Sequence, residues 1–193
     1  MRKAKVGMVG VGGFGRRIAA AVSESQTCEP VACFDVNEEE TTAVSRQTGC
    51  RVCGSYEELL AVEGLEGVTL VLPNDLHREY AVAAVRAGKH VFVEKPIALS
   101  LKEADAMIDA SKRNGVKFMV GHVLRFFPEY MKIKELIDQG LIGDPVIAIT
   151  FRGGPIPEWS PWFLDKEKSG GVAIDLAIHD VDFLLWCFGE GVE

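Results

Sequence analysis

The chain has 193 residues, 48% of them hydrophobic and 25% charged, with a formal net charge of −7. That is enough apolar material to bury one full domain and part of another. An acidic pI near 5.2, with Lys and Arg scattered rather than clustered, disfavours nucleic acid or an anionic membrane as a partner. No apolar stretch reaches the roughly 18 residues that cross a bilayer, and five cysteines, an odd number, do not suggest a secreted disulfide framework. The opening Met1-Arg2-Lys3-Ala4-Lys5 is superficially like a signal peptide. The apolar run behind it is broken by glycines and continues into a segment carrying Arg16 and Arg17, so a cytoplasmic chain is expected.

Residues 5–9 read as a buried strand and residues 14–25 as a helix with Ile18, Ala21 and Val22 inward. Between them Gly10, Gly12 and Gly15 form a GxGxxG that also contains Gly13 and Phe14. Gly10 permits a tight turn, Gly12 leaves room for a pyrophosphate to approach the backbone, and Gly15 lets helix and strand pack closely. Phosphates would rest on the unpaired N–H groups of the helix N-terminus. Residues 29–34 are a second strand ending in Asp35, twenty positions after Gly15. A carboxylate there meets the ribose hydroxyls of NAD and repels the 2′-phosphate of NADP.

The strand and helix rhythm continues. Asn37 with Glu40, Ser55 with Glu58 and Ser100 with Glu103 stand at capping-box spacing, each opening a helix. A short strand is expected at 51–53, and Cys50 and Cys53 there form a CxxC with no second pair at zinc spacing, hence small core or surface residues. Residues 68–72 form a continuous apolar strand, broken at its C-terminal end by Pro73-Asn74-Asp75, where ligands bind in parallel sheets. A helix over 77–87 leads to a strand over 90–93 that ends in Glu94-Lys95-Pro96. After the Ser100 helix, residues 117–120 complete a first domain over 1–122.

Beyond it the rhythm changes. A second domain over 123–193 is expected to hold a helix over 128–139, a half-buried strand over 145–151 and a long loop over 153–171 ordered by Trp159, Trp162 and Phe163. A last helix over 172–188 would turn Ile174, Ile178, Val181, Leu185 and Phe188 inward, with Asp175, His179, Asp182 and Trp186 on a neighbouring stripe.

The stretches VGVGGFG, PNDLHREYAVAAVRAGKHVFVEKP, GHVLRFFP and SGGVAIDLAIHDVDFLLW resemble, in this order, the successive signatures of the oxidoreductases grouped with glucose-fructose oxidoreductase and inositol dehydrogenase. The resemblance implies an α/β fold, a doubly wound parallel-sheet Rossmann domain followed by an incomplete α+β substrate domain. It implies NAD as cofactor and a polyol, sugar or related hydroxyl compound as substrate. Lys95 matches the family's lysine that contacts nicotinamide and substrate. Asp175 and His179 match its catalytic acid and histidine, Pro73, Asn74 and His77 a loop lining the nicotinamide half, and Glu94 a cofactor-side carboxylate.

Chemistry asks for these residue types independently. Hydride transfer from an alcohol requires a base at the hydroxyl, and a histidine, with an unperturbed pKa of about 6.5, serves at neutral pH. Asp175 could orient that ring, Lys95 could hydrogen-bond the substrate oxygen, and Trp162 could stack on a sugar or fill a core. Arg125 could hold a substrate hydroxyl or carboxylate, or pair with a nearby acid. The roles of His122 and Asp182 stay open. Two alternatives accompany the dehydrogenase reading: an NAD-binding module without turnover, and an NAD-dependent glycoside hydrolase. Family members continue past the last helix into an open, largely antiparallel sheet of which one strand stands here. An edge strand over 145–151 is therefore expected to drive self-association through the second domain.

Overall fold

The computed structural model describes residues 2–154 and 161–189. The chain divides into two compact units, 1–120 and 121–193.

The first unit is a six-stranded sheet. In chain order its strands are β1 (Ala4–Val9), β2 (Cys28–Phe34), β3 (Arg51–Val52), β4 (Gly67–Leu70), β5 (His90–Glu94) and β6 (Phe118–Gly121), arranged β3-β2-β1-β4-β5-β6. The β1–β2, β1–β4, β2–β3 and β4–β5 ladders are parallel. Helices α1 (Gly13–Glu24), α2 (Glu38–Thr48), α3 (Tyr56–Leu60), α4 (His77–Arg86) and α5 (Leu101–Asn114) supply the crossovers. Because side chains alternate along a strand, adjacent Met8 and Val9 enter different cores. Met8 packs with Val11, Ala19, Cys33 and Val44 of the α1 and α2 side. Val9 joins Leu59, Ala81, Val85 and Met107 of the α3, α4 and α5 side. Cover on both faces is why these strands read as unbroken apolar runs.

Strand order reverses between β1 and β4, so the loops leaving those two strands part to opposite sides and open a crevice. The apolar run expected over 68–72 is strand only to Leu70: Val71 N–H still donates to Val9 O at 2.9 Å, and the chain then leaves the sheet through Leu72 and Pro73. At the other lip Gly10 has φ +76°, and a Cβ on it would stand 2.1 Å from Val71 O; a Cβ on Gly15 would stand 2.0 Å from Gly10 O. The Ser55 and Ser100 caps form as expected, each hydroxyl accepting from the N–H three residues on. Asn37 also caps α2, accepting from Glu39 N–H, but no capping box closes: Asn37 N–H donates to Asp35 Oδ1 and the Glu40 side chain pairs with Arg16.

The second unit holds α6 (Pro128–Asp138), α7 (Lys166–Ser169), α8 (Gly171–Asp175) and α9 (Ile178–Phe188). Three expectations are corrected here. Residues 145–151 form no strand; among the described residues no neighbouring strand accepts their hydrogen bonds, and a ladder needs a partner. The loop over 153–171 carries a 3-10 turn at Pro161–Leu164 and α7, while Trp159 lies outside the described residues. The single helix over 172–188 is two: the Val172 carbonyl accepts from both Leu176 and Ala177 N–H, which closes α8 before α9 starts. The inward face of α9 also differs. Phe183 and Asp182 are buried while Val181 and Leu185 are exposed, because Phe183 meets Tyr130 of α6 edge to face at 4.9 Å and Asp182 is neutralised by Arg125. Alanine at Gly10 or Gly15 is expected to lower stability by at least roughly 1–3 kcal/mol through backbone strain and collision. Gly12→Ala, where nothing lies within 4 Å of the added Cβ, is expected to stay within about 0.5 kcal/mol of the native protein in thermal melts.

Candidate cofactor and active site

In the first unit the site lies along the C-terminal edge of the sheet. Gly12 caps α1 and Gly13 begins it; a methyl group added at either position would meet no other group within 4 Å, and Phe14 beside them is about half exposed. Open backbone with helix N–H groups is the surface a pyrophosphate needs. The Asp35 carboxylate is held at both oxygens, Oδ2 accepting from Val11 N–H at 2.7 Å and Oδ1 from Asn37 N–H at 2.9 Å. It therefore braces the glycine turn while lone pairs remain for ribose hydroxyls. Val36 beside it is 90% exposed, and no arginine stands at 36 or 37 to greet a 2′-phosphate. The residues present thus suit a dinucleotide of the NAD type.

Past β4, Asn74 is buried in a 3-10 turn and His77 opens α4. The expectation for His77 is corrected: its ring has no exposed surface, and both nitrogens face backbone carbonyls, Nδ1 to Pro96 O at 2.8 Å and Nε2 to Leu72 O at 3.0 Å. It cannot offer its ring to a cofactor from there. Burial holds its pKa below 6.5, against the neighbouring carbonyls, with the Lys95 charge pressing the same way as burial. Glu94, at the end of β5, is only 7% exposed. Its Oε2 accepts from Lys95 N–H at 3.3 Å and its Oε1 is buried with no partner, so burial raises its pKa. An orphaned carboxyl oxygen at this edge suits a ligand hydroxyl. Lys95 follows, half-buried.

In the second unit Arg125 lies in a 3-10 turn, Val123–Phe126, and Asp182 on α9. They meet as a bidentate pair, Nε to Oδ2 at 2.8 Å and Nη2 to Oδ1 at 2.6 Å, and His122 Nδ1 lies 3.6 Å from the same Oδ1. Of the two readings of Arg125, pairing with an acid is the one this geometry realises, and the pair raises the arginine's pKa. A second bidentate pair joins Arg152 to Asp180 at 2.8 and 3.0 Å. Nothing local in the sequence marks Arg152 for that part. His179 is in the first turn of α9, immediately before these two anchored aspartates, whereas Asp175 ends α8, so the two do not share one continuous helix face. Trp162 stacks on Phe163 with ring centroids 4.0 Å apart and is half-buried.

Comparison with known proteins is consistent in both units. A family model described as an oxidoreductase family with an NAD-binding Rossmann fold matches residues 4–122, and a Gfo/Idh/MocA C-terminal domain model matches residues 130–193. The 2,7-anhydro-N-acetylneuraminate hydratase of Escherichia coli is 34% identical over 95% of this chain and 49% of its own length. The myo-inositol 2-dehydrogenase of Thermotoga maritima is 31% identical over 98% of this chain and 56% of its own. A solved NAD-binding protein from Listeria innocua superimposes with a TM-score of 0.83 at 31% identity, covering 96% of this chain and 55% of that one. The chain spans about half the length of these relatives.

Two stability effects of opposite sign follow from the buried pair at the sheet edge. The folded pKa of His77 is depressed, so as pH falls below about 6.5 the unfolded state takes up the proton first and stability is lost toward the folded pKa. Melting temperature is expected to fall from pH 7 to 5, less steeply in His77→Asn. The folded pKa of Glu94 is raised, so its ionisation costs stability as pH rises through that value. Glu94→Gln is expected to raise the melting temperature at pH 7 by roughly 2–4 °C, on the order of 1 kcal/mol.

Proposed function

Because the chain belongs to the oxidoreductase family with an NAD-binding Rossmann fold, we propose that it carries the cofactor site and catalytic side chains of an NAD-dependent dehydrogenase acting on a hydroxyl of a polyol, sugar or related compound. The observation that carries this reading is the conjunction at one sheet edge of an open glycine turn braced by Asp35 with the orphaned Glu94 oxygen and Lys95. The inositol dehydrogenase among the relatives supports the substrate class.

NAD, when bound, accepts the hydride. Asp35 holds the adenosine ribose by its hydroxyls, and Glu94 takes a cofactor-side hydroxyl. Pro73 and Asn74 border the nicotinamide half, and Lys95 donates a hydrogen bond to the substrate oxygen. His179 removes the hydroxyl proton as the carbon gives up its hydride, and Asp175 and Trp162 line the substrate. Arg125 and Asp182 fix the first turns of α9, and with them the base.

The hydratase relative favours a second reading, in which the same site oxidises and re-reduces an anhydro-sugar or glycoside without net NADH. A cytoplasmic setting with reduced thiols belongs to the proposal; among the described residues no helix is long and apolar enough to cross a membrane. Self-association through the second unit belongs to it too, supported by the exposure of the large apolar side chains of Val146, Ile149 and Phe151, and sedimentation velocity should show species above the monomer.

Incubation with NAD and a panel of polyols and glycosides, following NADH and free sugar together, tests the reading. NADH should accumulate with at least one polyol. Free sugar without NADH would support the second reading, and NAD binding with neither product would make the chain a binding module. His179→Ala is expected to lose about 10²–10⁴-fold in kcat with NAD affinity unchanged. NADP should bind at least about tenfold more weakly than NAD, a difference of about 1.4 kcal/mol.

A further inference from the structure

His77 is fully buried, yet both of its ring nitrogens face hydrogen-bond acceptors: the Pro96 carbonyl at 2.8 Å and the Leu72 carbonyl at 3.0 Å. A neutral imidazole donates once. The shorter contact favours Nδ1 as the donor, directed at Pro96, the residue that immediately follows Lys95. The other nitrogen stays against Leu72, which follows Val71, whose carbonyl sits where a Gly10 side chain would be. A short chain of contacts therefore runs from the glycine turn through Val71 and Leu72 to the imidazole, and from the imidazole to the Lys95-Pro96 turn. The charged groups beside it on that turn are Lys95 and Glu94.

We propose that His77 is a positioning residue: its Nδ1–H, bonded to the Pro96 carbonyl, sets where Lys95 stands relative to the glycine turn. The proposal rests on the reading of Lys95 as the residue that meets the substrate oxygen. Substrate contact and phosphate contact come from segments far apart in sequence, so some buried link must hold their spacing. Misplacement by about 1 Å can cost on the order of 10²-fold in rate.

Three variants separate the hydrogen bond from mere filling of space. His77→Asn keeps an N–H near the Nδ1 position, His77→Gln keeps one near Nε2 only, and His77→Phe keeps volume without a donor. Lys95 acetylation by acetic anhydride at fixed pH, read by mass spectrometry as a ratio to exposed Lys112 of the same molecule, reports the lysine's setting with no need for turnover. The Asn variant should stay within about twofold of the native ratio. The Gln and Phe variants should move it clearly outside that band, toward the ratio of a free surface lysine. Circular dichroism and melting confirm folding, and if Phe fails to fold, the Asn and Gln pair still decides. An unchanged ratio in Gln, or an Asn variant as altered as Gln, would overturn the proposal. A long-range proton–nitrogen spectrum of the native protein should show His77 as the Nδ1–H tautomer, and an Nε2–H tautomer would overturn it as well. If the native chain oxidises no polyol, the dehydrogenase reading falls while the acetylation result stands.

Discussion

Two backbone approaches closer than any side chain allows hold the first unit's site together: the Gly10 turn lies against the Val71 carbonyl, and Gly15 of α1 lies against the Gly10 carbonyl. Any Cβ at either position would stand about 2 Å from an oxygen. From that constraint follow the direction in which α1 leaves β1, the width of the crevice where strand order reverses, and the exposure of Gly12 and Gly13 to a ligand. Asp35 completes the arrangement by tying the turn's Val11 N–H to the end of β2. One carboxylate thereby sets the loop's shape from both of its oxygens.

The second buried device is polar and costs stability. A carboxyl with one oxygen unpartnered and an imidazole between two carbonyls are each disfavoured in an interior that offers little compensation. Both lie at the C-terminal edge, Glu94 immediately before Lys95 and the His77 ring against the carbonyl of Pro96 immediately after it. A core chosen for stability alone would not place them there, and tolerated buried polarity is a common mark of a functional edge.

In the second unit, ion pairs replace apolar burial as the organising element. Asp180 and Asp182 of α9 each take an arginine by a two-point grip, from Arg152 and Arg125. Bidentate pairs constrain orientation as well as distance, so they fix the first turns of the helix where His179 sits. Neither guanidinium is deeply buried, and the geometric role outweighs any stability the pairs confer.

The sequence by itself determined the α/β rhythm, the strand edges that carry Asp35 and Glu94-Lys95, the glycine turn, the three helix N-caps Asn37, Ser55 and Ser100 and membership of the family. Each is encoded locally, in apolar periodicity, in glycines at fixed spacing or in a cap close in sequence to its partner. What only the tertiary structure decided depends on partners distant in the chain. Periodicity alone turned Val181 and Leu185 of α9 inward; Tyr130 and Arg125 drew Phe183 and Asp182 in instead. The helix break between Asp175 and His179 arises where the Val172 carbonyl takes two donors, which no residue pattern announces. His77 was legible as part of the site but not in its part there, because a ring's role is set by what faces its two nitrogens. Here those are carbonyls 5 residues before it and 19 after it, brought together only when β4 and β5 pair in the sheet.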